Sequence, residues 1–402
     1  MCALRRLAMT EKATTLGFWG VRGSTPTVDR ANGRYGGNTP CLELVAPCGT
    51  RFILDCGTGL RGLGNKRAGE GKPLDAHIFV THYHWDHIQG IPFFAPLYAP
   101  QHTLHFYSFR SEHLGQHTLK RVLEAQMATP YFPVDVSAMK ATRNYTEVNG
   151  GDSLTINGTR VTARWLNHPQ GCLGFRFETP AGVVCYATDN EPGHAEYEKN
   201  LRELAQNADI FVNDAQYTPE QLAGHRKGWG HSSWREGVNI AKEVGAKNVV
   251  LFHHDPESTD SILDARLRDA RAEFDKVWMA AEGMVATMNG KCTQFSLRNA
   301  RAGQRRDTYL DAVVSGESVD GKPFQEATII HDLSLNGASL QLKHAPQIQS
   351  ELLVVIQTPG QDPYSAEMRL GGHVVHCEPG PEGTSVVGII FTDDVIEGPE
   401  VP

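Results

Sequence analysis

Paired cysteines are missing from this chain. The eight present, at positions 2, 41, 48, 56, 172, 185, 292 and 377, are scattered, with no C-x-x-C pair and no short secreted framework. Reduced thiols in a cytoplasm are therefore the expectation. Long apolar runs are also missing. No stretch reaches the roughly 20 residues that cross a bilayer as a helix. The start, Met1 to Met9, has two arginines but no apolar segment behind them, so neither a signal peptide nor membrane insertion is expected. Positive charge is in deficit as well: 38 Lys and Arg face 46 Asp and Glu, a formal net charge of −8. A strong nucleic-acid-binding face needs the opposite excess, although a small anionic substrate held by local cations does not. The remaining composition, 40% hydrophobic and 21% charged over 402 residues, fits a soluble protein of two or three domains. A homodimer is compatible with it.

Histidine, by contrast, is concentrated. The apolar run Ile78-Phe79-Val80 reads as a buried strand and leads into Thr81-His82-Tyr83-His84-Trp85-Asp86-His87. Three imidazoles and a carboxylate within six residues are ligands for a borderline divalent metal, and packed together they need a cation between them. His82 and His84, two apart, lean the same way as the strand ends. Asp86 and His87 lie further round the turn, within reach of a second metal.

This H-x-H-x-D-H string after a strand resembles the signature of the metallo-β-lactamase superfamily. The resemblance implies an αββα sandwich of the α/β class with a metal-dependent hydrolytic site at its edge. Asp55-Cys56-Gly57-Thr58-Gly59 resembles a further motif of the superfamily, with Asp55 as an anchor accepting hydrogen bonds near the metal loop. The resemblance also implies His168 as the third ligand of the first metal. Asp189, ending the apolar run Val183–Thr188, takes the place of the bridging carboxylate, and His253 that of the last histidine, with His254 as its alternative. Metal one is then held by His82, His84 and His168, metal two by Asp86, His87 and His253, with Asp189 shared. Zinc is expected, and manganese or iron use the same ligands. His102, His105, His113, His117 and His194 show no ligand pattern, and Tyr131-Phe132-Pro133 reads as core packing.

Asp214 and His231 are similar to the acid-plus-histidine pair of the phosphodiesterase branch, which includes ribonuclease Z. There the carboxylate orients a histidine that protonates the leaving oxygen. The stretches Gly20–Ser24, Arg34–Thr39 and Leu251–Pro256 resemble bacterial members of that branch. The catalytic set is therefore expected to be His231, Asp214 and Asp86, acting on a phosphodiester of cyclic-nucleotide or nucleic-acid type. Two rivals stand beside this reading. One is a lactonase or thioesterase with the same metals, for which the Asp214–His231 pair has no use. The other is a non-catalytic signalling adaptor, which would not need a complete ligand set.

Arg298 to Arg306 is rich in Arg and Gly and marks a linker between a hydrolase domain, 14–292, and a second domain, 300–402. Beyond it, seven short apolar segments separated by turns argue a small all-β barrel. Arg301 and Arg305 form R-x-x-x-R, and Asp332, Ser334 and Gly337 form D-x-S-x-x-G. Together they resemble the PilZ domain, a receptor for cyclic di-GMP, with Arg306 as an alternative register for the arginine motif. Guanidiniums grip phosphates and stack on guanines, while a turn Asp and Ser reach a guanine edge. His331, His344, His373 and His376 read as bystanders.

Overall fold

The computed structural model describes residues 13–111, 118–297, 306–334, 337–357 and 367–395. The chain divides into two compact units, the second beginning in the main at Phe295.

The first unit is built on two sheets. In one, the strands Thr14–Gly20, Cys41–Val45, Arg51–Leu54, Asp75–Phe79, Thr103–Ser108 and Thr142–Glu147 run side by side in chain order. The first three are antiparallel, as their Gly-rich turns demand, and from Arg51–Leu54 onward the pairing turns parallel. In the other, the order is Val277–Met279, Val249–Phe252, Ile210–Asp214, Gly182–Ala187, Cys172–Thr179, Thr159–Leu166 and Ser153–Ile156. Its first four strands are parallel and apolar on both faces: Ile210–Asp214 and Val249–Phe252 are buried throughout. That is the pattern of strands covered on both sides.

Phe52, Phe79, Phe175 and Phe177 fill the space between the sheets, with Phe79 edge-on to Phe175 and Phe177 at 5.2 and 5.3 Å. Helices cover the outer faces. Gly59–Gly69 and Leu119–Ala125 pack on the first sheet, and Ala195–Ala205, Trp234–Val244 and Asp260–Glu273 on the second. This is the αββα sandwich. Residues 228–233 are irregular, and Ser233 caps Trp234–Val244, its hydroxyl accepting from Glu236 N.

The second unit is a closed six-stranded antiparallel barrel in the order Arg306–Glu317, Pro323–Ser334, Gly337–Leu342, Ser385–Val395, Glu367–Pro379, Glu351–Gln357. Val314, Ile330, Leu340, Val354, Val374 and Ile389 fill it. Here one expectation is corrected. Glu367–Leu370 and Gly372–Val375 are one strand, because Gly371 and Gly372 form a bulge inside it rather than a turn. Among the described residues, no helix is long and apolar enough to cross a membrane.

Candidate dinuclear metal centre

Parallel strands end on one edge of a sandwich, so the segments after them in sequence meet in space. Asp75–Phe79 runs into the loop of His82 and His84 and the short helix Trp85–Ile88, which carries Asp86 and His87. Thr159–Leu166 leads to His168, Gly182–Ala187 to Asp189, and Val249–Phe252 to His253, while Asp214 closes Ile210–Asp214. Asp55, Asp189 and His253 all have positive φ, at 59°, 50° and 61°. Backbone strain of this kind is held in place where function needs it.

Asp55 anchors the histidine loop. Its carboxylate accepts from Thr81 N at 2.7 Å, Tyr186 Oη at 2.7 Å and His87 Nδ1 at 2.8 Å. Thr81 Oγ1, also bonded to Asp55, lies 3.1 Å from His82 Nδ1. Each remaining imidazole is pinned in the same way. His168 Nδ1 donates to Gly230 O at 2.8 Å, His253 Nδ1 to Gln216 Oε1 at 2.9 Å, and His84 Nε2 to Gln170 Oε1 at 3.2 Å. One ring nitrogen of each histidine is thereby occupied and the other turned inward as a bare lone pair.

The inward atoms form two groups. In one, His168 Nε2 lies 3.0 Å from His84 Nδ1, and His82 Nε2 and His168 Nε2 each lie 3.8 Å from Asp189 Oδ1. In the other, His87 Nε2 and His253 Nε2 are 3.2 Å apart. Both lie 3.2–3.3 Å from Asp86 Oδ2 and 3.3–3.4 Å from Asp189 Oδ2. Asp189 thus turns one oxygen to each group.

These donors fit divalent metals. The inward atoms converge on two points, and buried His82 Nε2 has no hydrogen-bond partner. Ligands at about 2.1 Å in a tetrahedral array sit about 3.4 Å from one another, the spacing found in the second group. Burial also holds the His168 imidazole down at about 4, so it is a neutral ligand at pH 7. Burial by itself would raise the Asp189 carboxyl, but His253, His87 and His82 outweigh it and hold it well below the usual range.

Asp214 and His231 stand beside this set. His231 Nδ1 donates to Asp214 Oδ2 at 2.7 Å, while Asp214 Oδ1 accepts from Gln216 N and Ser232 N at 3.0 and 3.2 Å. The His231 ring stacks 5.0 Å from His253 and lies 5.3 Å from His168. Burial lowers its pKa, but the Asp214 carboxylate more than offsets this and holds it at about 9.

Residues 50–254, half of the chain, match the model of the beta-lactamase superfamily domain. The chain belongs to that superfamily. As a member it is a metal-dependent hydrolase, and residues 299–398 match the PilZ domain. The superfamily relatives include ribonuclease Z of Methanosarcina mazei, 25% identical across 66% of this chain and 95% of the relative. The enzyme of the same name from Haloarcula marismortui is 24% identical across 69% and 96%. Among solved structures, a metallo-beta-lactamase fold protein of Bacillus subtilis covers 69% of this chain and 99% of its own at 18% identity, with a TM-score of 0.52. The short form of human tRNase Z covers 67% and 98% at 20% identity, with a TM-score of 0.50. These structural likenesses support the superfamily fold.

Several residues of the superfamily site escape a reading of the sequence. Gln216 orients His253, and Ser24 N donates to Asp86 Oδ2 at 2.8 Å. Glu191 accepts from the backbone of Gly228 and Gly230. None falls in a ligand motif, so only the folded chain reveals it. His254 is buried behind His253 and donates to Ala280 O at 2.8 Å, away from the ligand groups. The three stretches resembling bacterial relatives form one knot there. Arg22, fully buried, donates to Gly36 O, Asp255 O and Ser258 O at 2.8, 3.1 and 2.6 Å. Of the bystander histidines, His102 accepts from Leu74 N and His105 pairs with Asp75, while His113 and His117 lie outside the described residues. Tyr131 is 82% exposed, which corrects its assignment to the core, and only Phe132 of that stretch packs, on Phe93. In the barrel, Arg301 and Arg305 lie outside the described residues. Asp332 and Ser334 are placed only as members of the strand Pro323–Ser334. Gly337 is buried where a Cβ would collide with the Ile389 carbonyl of the adjoining strand.

Proposed function

We propose that this hydrolase is a dinuclear phosphodiesterase governed by cyclic di-GMP bound at its C-terminal barrel. The observation that carries the first half is the Asp214–His231 pair, held at 2.7 Å beside the ligand groups. His82, His84 and His168 would hold one metal, Asp86, His87 and His253 the other, and Asp189 both. Zinc suits this His-rich set, with manganese or iron as chemical equivalents. When bound, the metals supply Lewis acidity toward the phosphoryl group and bring the pKa of water toward neutrality.

The chain's own residues do the rest. Asp214 holds His231 through Nδ1, so Nε2 carries the proton given to the departing ribose oxygen. The Asp214 carboxylate raises the His231 pKa, which favours that proton at neutral pH. Asp86 accepts from Ser24 N, which fixes the carboxylate that reaches the second group. The product keeps a phosphate monoester. Relatives named ribonuclease Z, and a structural neighbour named a diphosphatase with a TM-score of 0.50, agree with phosphorus-centred chemistry.

The second half rests on the PilZ match and on the arginine and D-x-S-x-x-G motifs. Arg301 and Arg305 would grip the phosphates, and Asp332 and Ser334 a guanine edge.

Replacing the acid tests the enzyme reading. His231→Ala should leave the metal content unchanged and cut kcat on a dinucleotide by about 10²- to 10⁴-fold, the usual worth of a general acid. The loss should shrink on bis(p-nitrophenyl) phosphate, whose leaving group needs no proton. Equal losses on both substrates would make His231 structural.

A further inference from the structure

We infer that Glu191 is a positioning residue that locks the acid His231 and the candidate ligand His168 into one geometry, an inference that rests on the phosphodiesterase reading above. Glu191 lies two residues beyond Asp189. Its Oε1 accepts from Gly228 N at 2.6 Å and its Oε2 from Gly230 N at 2.8 Å, so both carboxylate oxygens are spent on one short segment. Its own backbone is tied to the residue before His168. Glu191 N donates to Asn167 O at 2.8 Å, and Asn167 Nδ2 donates back to Glu191 O at 2.8 Å.

The segment it holds needs holding. Gly228 and Gly230 have φ of 86° and 87°, which glycine adopts at no steric cost but loses the most conformational entropy in keeping. Gly230 cannot be exchanged for a stiffer residue, because a Cβ there would collide with the His168 ring. The peptide it belongs to serves two groups at once. Gly230 O accepts from His168 Nδ1 at 2.8 Å and so sets which nitrogen of His168 turns inward. The next residue is His231. A carboxylate receiving two N–H bonds is a strong, charge-assisted clamp. It sits on the turn that carries Asp189, and that turn is bonded in both directions to Asn167 on a neighbouring loop. Three loops from three different strand ends are therefore closed into one ring through Glu191, by its side chain on one side and its backbone on the other. Glu191 touches neither substrate nor reacting atoms in this scheme; it acts through Gly230.

The test compares full-length wild type with Glu191→Gln and Glu191→Ala. Glutamine keeps the shape but has only one acceptor oxygen, so one of the two bonds is lost with little risk to folding. Hydrogen exchange over residues 224–232 should speed up in both variants. Under competition with a chelator, both should release metal before wild type does. Saturated with zinc, both should lose about 10- to 100-fold in kcat on a dinucleotide with KM unchanged, and less on bis(p-nitrophenyl) phosphate. Unchanged exchange together with unchanged metal retention in Glu191→Gln would overturn the inference, as would equal kcat losses on the two substrates. If wild type hydrolyses neither diester, the phosphodiesterase reading fails, and exchange and metal retention still judge the clamp.

Discussion

Asp189 stands between the two ligand groups. Its Oδ1 lies 3.8 Å from His82 and His168, and its Oδ2 3.3–3.4 Å from His87 and His253. Because it alone turns toward both, Asp189→Ala should abolish hydrolysis and lower occupancy at both sites. His84→Ala should lower it at one. Metal analysis by mass spectrometry separates the two, and loss of a single equivalent in Asp189→Ala would count against the shared role. His231 carries a second expectation. A general acid works while protonated, so activity is retained below its pKa and lost as pH rises through it. The value of about 9 is that of the chain alone. Two cations bound nearby would pull it down, so kcat on a dinucleotide should fall along a basic limb centred at or below pH 9. That limb should be absent from His231→Ala, and a limb that survives in the variant would belong to another group. Residues with ligand chemistry were legible because chemistry and spacing lie in the sequence itself. His82, His84, Asp86 and His87 are adjacent there, and the structure brings them together with His168, Asp189 and His253. Tyr186 and Gln216 were not legible. Their side chains serve Asp55, 131 residues away, and His253, 37 away, and only folding makes those contacts.

The strand ends gather the site, and the sequence showed them as apolar runs closed by a polar residue: Ile78–Val80, Val183–Ala187, Ile210–Val212 and Val249–Phe252. What it could not show was the packing that supports them. Arg22 ties the ends of three stretches, 20–24, 34–39 and 251–256, through carbonyl groups rather than through ion pairs at bonding distance. Burial lowers its guanidinium pKa, partly offset by Asp260, Glu282 and Asp255. Arg22→Leu would take the guanidinium donor away from three carbonyls, two of them in buried bonds. It should cost about 2–5 kcal/mol in denaturant unfolding of the metal-free protein, and should weaken metal retention through the displaced His253. A change within about 0.5 kcal/mol, the range of ordinary surface substitutions, would show the knot to be incidental. Gly371-Gly372 lies in a bulge inside a strand, while Gly228-Trp229-Gly230 is a loop held from outside. A glycine permits a conformation without dictating which one, so its neighbours in space decide.

The chain joins a superfamily hydrolase to a PilZ barrel, and the two halves were legible for different reasons. The hydrolase was carried by dense local chemistry, the barrel by two short motifs and a regular rhythm of strands. If the barrel is a receptor, calorimetry should show cyclic di-GMP binding to wild type and weakened binding to Arg305→Ala. Coupling to the first domain should then appear as a change of about 5- to 150-fold in affinity at the hydrolytic site, the usual range for linked sites. No heat in wild type would remove the receptor, and binding with unchanged hydrolysis would remove the coupling alone. The central claim is that the histidine and aspartate groups bind two metals and that these drive diester hydrolysis. Its most direct test is metal analysis of the purified protein, paired with hydrolysis of bis(p-nitrophenyl) phosphate before and after exhaustive chelation. Close to two equivalents of divalent metal are expected, with activity lost on chelation and restored by zinc or manganese. Full activity in metal-free protein would contradict the claim.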